Sequence, residues 1–87
     1  MPKYQMYFDT TTDEFKNNVE IDEAETLDGV MSDILYELRA DYGRVLRGEG
    51  EPQVSWSGNL LDPNRPLPEQ GVRPNDVLRV STRATIG

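Results

Sequence analysis

The sequence predicts an α+β domain in which a mixed sheet of four to five strands packs on a single helix. Three observations carry this. Two alternating runs lie close together near the start, one amphipathic stretch follows, and further strand-like runs punctuated by glycine and proline close the chain. At 87 residues, with 36% hydrophobic, there is material for one small core, and a sheet on a helix is the two-layer way to build it.

The first run, KYQMYFDT, sets Tyr4, Met6 and Phe8 on one face and Lys3, Gln5 and Tyr7 on the other, the pattern of a half-buried strand. DTTTDE then supplies turn residues, read as solvated. In FKNNVEID, Phe15, Val19 and Ile21 share a face that Asn17 interrupts. Two such runs joined by a short polar link form a β-hairpin. A helix is expected from about Thr26 to about Asp41. The Thr26 hydroxyl suits an N-cap, where it accepts a hydrogen bond from a backbone N–H that the helix leaves free. Asp22, Glu23, Glu25 and Asp28 crowd that end, where the helix dipole favours negative charge. Leu27, Val30, Ile34 and Leu38 form the apolar stripe, flanked by Met31 and Leu35. Gly29 costs ~1 kcal/mol of helix propensity relative to alanine, and Gly43 is a natural stop.

GRVLRGEGEP reads as an irregular, mobile connection. A strand follows in PQVSWS, with Val54 and Trp56 on one side, and a turn at Gly58-Asn59 leads to a short edge strand in NLLD. PNRPLPEQGVRPND is mostly turn, with one 3₁₀ turn near Leu67 to Gln70. The last strand, DVLRVST, buries Val80 and either Leu78 or Val77. The first and last strands are expected to be central and parallel. The chain divides into a domain over residues 1–82 and a C-terminal tail over 83–87.

Composition restricts the chemistry. Sixteen Asp and Glu against nine Lys and Arg give a net charge of −7. Such a surface repels nucleic-acid phosphates and anionic lipid, so basic protein partners are favoured over nucleic acid or membrane. No apolar run approaches the ~20 residues of a membrane span and no signal-peptide pattern opens the chain, so a cytoplasmic protein, monomeric when free, is expected. There is no cysteine and no histidine. Thiolate nucleophiles, thiolate metal ligands and the usual general base near neutral pH are therefore missing. No catalytic residue, metal or cofactor is assigned, and the chain is not expected to be an enzyme. Trp56 is read as a core aromatic before a ligand-stacking one. The acidic cluster lacks the spacing of a calcium loop and suits a helix start. Arg79, Arg83 and Arg73 form either a basic island for a partner's carboxylates or a scattered solvated surface.

Three stretches carry a family likeness: VEIDEAETLDGVMSDI, VSWSGNLLDPNRPLPEQGVRPND and VRPNDVLRVSTRATIG. In these, and in the order hairpin, helix, strand, short strand, strand, the chain resembles ubiquitin and its relatives, the β-grasp family. The likeness covers most of the chain. The last stretch lies on the family's C-terminus without a gap, setting Gly87 on the terminal glycine and Arg83 on a tail arginine read by activating enzymes. Ile86 stands where ubiquitin has the first of two glycines, as in relatives that end in a bulkier residue and one glycine. Ser55 and Ser81 fall on the positions of ubiquitin's apolar recognition patch, and the connection after the helix is several residues longer.

The resemblance implies a bacterial ubiquitin-like modifier. The Gly87 carboxylate would be adenylated, carried as a thioester by activating (E1-like) and conjugating (E2-like) enzymes, and joined to amines of protein targets. Arg83 and Ile86 would serve tail recognition, Lys3 and Lys16 would be the candidate chain-acceptor lysines, and a JAB-type protease would reverse the bond. Glycine suits such a terminus, because without a Cβ its acyl carbon enters a narrow channel. The alternative is a non-covalent β-grasp docking subunit of a larger bacterial complex, either a monooxygenase-type small subunit or a secretion-system component. A sulfur carrier with a C-terminal thiocarboxylate is a third possibility, and ordinarily keeps two glycines.

Overall fold

A computed structural model describes residues 1–82 of the chain. The hairpin is β1 (Lys3–Asp9) and β2 (Glu14–Glu20), antiparallel, with Met6 opposite Asn17 and Phe8 opposite Phe15. Helix α1 (Leu27–Tyr42) follows, then β3 (Pro52–Trp56), β4 (Asn59–Leu60), a 3₁₀ turn (Pro68–Gln70) and β5 (Val77–Thr82). The sheet order is β2-β1-β5-β3-β4. β1 and β5 are parallel neighbours near its centre, and β3 runs antiparallel to both β5 and β4. This is the expected five-stranded mixed sheet on one helix, consistent with a β-grasp-like fold.

Alternation decides which side chains meet the helix. Tyr4, Met6 and Phe8 from β1, Leu78 and Val80 from β5 and Val54 from β3 are buried against Leu27, Met31, Ile34 and Leu38 of α1. Ile21, Leu67 and Val72 close the ends of this core. The final strand buries Leu78, which has no exposed surface, and leaves Val77 46% exposed. Along α1 Met31 is buried together with Leu27, Ile34 and Leu38, while Val30 stands half-buried at the rim. Burial of Tyr4 pushes its phenol above the usual value, and the Glu23 and Asp76 carboxylates add to the shift.

Local chemistry sets the helix ends. The Thr26 side chain accepts from the Gly29 N–H at 3.3 Å, satisfying a donor of the first turn. Gly43 takes the left-handed conformation at φ 66°, where a Cβ would be strained. Its N–H reaches the Arg39 carbonyl, and that of Arg44 reaches Leu38. The Asp22 carboxylate accepts from the Ala24 N–H and the Glu25 carboxylate from the Asp22 N–H, so this acidic run organises its own turn.

The connection after the helix is irregular but fastened. Leu46 forms a bridge with Thr10, the Thr11 N–H donates to the Val45 carbonyl and the Arg47 N–H to the Asp9 carbonyl. The Thr82 hydroxyl donates to the Arg47 carbonyl. The β1–β2 turn also differs from a fully solvated one. Thr10 is buried, and its hydroxyl bonds both the carbonyl and the N–H of Asp13. Trp56 packs half-buried at the core edge and donates its indole N–H to the Asp76 carboxylate at 3.1 Å.

Candidate docking surfaces

The sheet has one face against α1 and one open. The register sets Lys3, Gln5, Tyr7 and Asp9 of β1 on the open face, beside Glu14, Lys16, Asn18 and Glu20 of β2. Val77, Arg79 and Ser81 of β5 and Gln53 and Ser55 of β3 complete it. Its charges are matched. Arg79 makes a two-pronged contact with Glu14 at 2.7 Å, Lys3 lies 3.7 Å from Glu20, and Arg47 reaches Asp9 at 3.4 Å from the side. Lys16 stands 5.8 Å and Arg79 6.0 Å from the centre of the Tyr7 ring.

The candidate chain-acceptor lysines, Lys3 and Lys16, therefore lie together on this face, one paired with a carboxylate and one beside an aromatic ring. Arg79 is engaged with Glu14 rather than joined to a basic island. Ser55 and Ser81 lie on the same face, from paired strands, and make it polar where ubiquitin is apolar. Gly87, Ile86 and Arg83 lie outside the described residues.

With three bases and three acids on the open face, thirteen acids against six bases remain for the rest of the chain. The open face is thus neutral and carries none of the net charge. Two grooves flank α1. One, of about 580 Å³, runs between Leu35 and Tyr36 of the helix and Val45, Leu46 and Pro52, with Tyr36 73% exposed. The other, of about 290 Å³, separates β2 from α1. Val19, Val30 and Ile34 line it together with the carboxylates of Glu20, Glu25, Asp33 and Glu37. Sequence reasoning missed this second groove, because its acids come from β2, the turn and α1 and have no common spacing. Among the described residues no three acidic, histidine or cysteine side chains are grouped to hold a metal ion, and no helix is long and apolar enough to cross a membrane.

No protein-family model matches the chain, and no curated protein matches it. Among solved structures it is similar to a chain of the toluene 4-monooxygenase HD complex with the inhibitor 4-bromobenzoate. The TM-score is 0.72 at 23% identity, over 94% of this chain and 98% of the other. The likeness supports the fold, end to end. It also corrects the reading as a conjugated modifier served by activating and conjugating enzymes and a deconjugating protease. A chain that shares this architecture comes from a monooxygenase complex, and nothing in the likeness indicates a conjugated modifier. The modifier reading drew on a β-grasp body together with the tail, Gly87 and Arg83 in register, whereas this likeness matches the folded body to a chain of a different setting.

Proposed function

We propose that this chain is a non-covalent docking subunit of a larger oxygenase-type assembly and carries no active site of its own. The observation that supports this is the end-to-end likeness to a chain of similar size found in a monooxygenase complex. A small domain in such a setting contributes surface. The body here is built for that role, with a rigid core, a charge-matched open face and an acidic helix side. The absence of cysteine and histidine from the sequence agrees with leaving catalysis to a partner.

The test is co-expression with hydroxylase subunits of an oxygenase assembly from the same source. The chain should co-elute with them in native chromatography and separate under denaturing conditions at its own 9.9 kDa. Omitting it should lower the yield or turnover of the hydroxylase. If it elutes alone, or if turnover and assembly are unchanged without it, the reading fails.

A further inference from the structure

The sheet has two free edges, and they are not equivalent. On one side the outermost strand, β4, has two residues, and Pro52 in neighbouring β3 offers no N–H. On the other side β2 has seven residues and pairs only with β1. The Ile21 N–H donates to the Pro2 carbonyl, which continues the β1–β2 ladder by one pair. Since antiparallel partners alternate, Val19, Asn17 and Phe15 also turn their backbone groups toward β1. The N–H and C=O of Lys16, Asn18 and Glu20 then point outward along the edge.

One end of this edge is covered. Tyr42 packs on Phe15 at 4.9 Å between ring centres, and the Arg44 guanidinium lies 4.7 Å from that ring while also meeting Asp13. The other end, Asn18 to Glu20, borders the smaller groove beside α1. A strand added here would send alternate side chains into that groove. They would cross an apolar strip of Val19, Val30 and Ile34 and end among Glu25, Asp33 and Glu37.

We propose that the β2 edge is a strand-addition site for an extended cationic segment of a partner protein, with Arg or Lys at the positions facing α1. The backbone of Lys16, Asn18 and Glu20 supplies the hydrogen bonds, and the carboxylates select the charge. This holds for any partner carrying such a segment and does not depend on the oxygenase reading.

The test uses the full 87-residue chain and a capped Arg-Val-Arg-Val-Arg-Val peptide, with Arg-Pro-Arg-Pro-Arg-Pro as the control that keeps the charge but cannot pair as a strand. Amide exchange is followed by NMR at peptide concentrations up to about 1 mM, within reach of weak complexes. The expected result is slowed exchange at Lys16, Asn18 and Glu20. The amides of Phe15, Asn17 and Val19, already bonded to β1, should change little. The D33N/E37Q double variant should weaken binding about fivefold, as expected for two exposed ion pairs, whereas E49Q/E51Q, with the same change in net charge, should not. Equal binding of the proline peptide, binding without protection at those three amides, or no binding at all would overturn the proposal. Copurification with hydroxylase subunits without β2 protection would overturn this site and leave the docking function standing.

Discussion

Leu78 and Val77 are neighbours on β5 whose side chains go to opposite faces, and their truncation tests the strand register. Leu78 is fully buried opposite Met6 of the parallel pair, while Val77 is 46% exposed opposite Gln5. Leu78→Ala removes a side chain surrounded by core and leaves a cavity, at a cost of about 2–5 kcal/mol. A domain of this length is stable by only about 4–13 kcal/mol, so the change removes a large share of the total. With about 4–8 °C of midpoint per kcal/mol at this size, a loss of about 3 kcal/mol lowers the melting temperature by about 12–24 °C. Val77→Ala, at a half-open site with little to collapse, should cost less than about 1 kcal/mol. Urea unfolding of both variants, followed by Trp56 fluorescence, gives the two differences directly. A one-residue slip of β5 would exchange the two roles. If Val77→Ala proves the costlier change, the assigned register and the core built on it are wrong.

Thr26→Ala removes one of two acceptors of the Gly29 N–H, leaving the Thr26 carbonyl at 3.1 Å, and should cost about 0.5–1 kcal/mol, seen as a lower thermal midpoint and less helical ellipticity. Tyr4→Phe tests the raised phenol. Below pH 10 both the folded and unfolded forms hold this proton, and Tyr4 contributes no pH dependence. Above about pH 10 the unfolded chain releases it first, so stability falls as pH rises through the folded value. The variant should show a shallower alkaline loss in urea midpoints. An unchanged slope would mean that Tyr4 is not held in its neutral form.

Much of the fold was legible because the alternation in β1 and the stripe in α1 are strong local signals. Thr26, Gly43 and Gly58 punctuate them at the right places. Alternation within β5 also settles the choice between Leu78 and Val77, left open above, since Leu78 shares a face with buried Val80 and Val77 shares one with Arg79. What was not legible depended on contacts distant in sequence. Met31 rather than Val30 joins the buried stripe because the sheet meets α1 at a particular rotation. The connection over residues 43–51 looked mobile by composition, yet its backbone is taken up by Asp9, Thr10, Thr11 and Thr82. The functional reading leaned on residues 83–87 more than on the folded body. The β2 edge, by contrast, becomes visible only when the strand order is known.

The parallel pairing of β1 with β5 also governs how the domain is made. The strand that joins the hairpin to β3 follows every other described element in the chain, and until it emerges from the ribosome those two halves of the sheet have no shared neighbour. Everything before Val77 leaves the translation machinery as an incomplete layer, with Met6 and Phe8 lacking the side chains that will cover them. Closure then comes late and all at once, after β5 has threaded between strands already made.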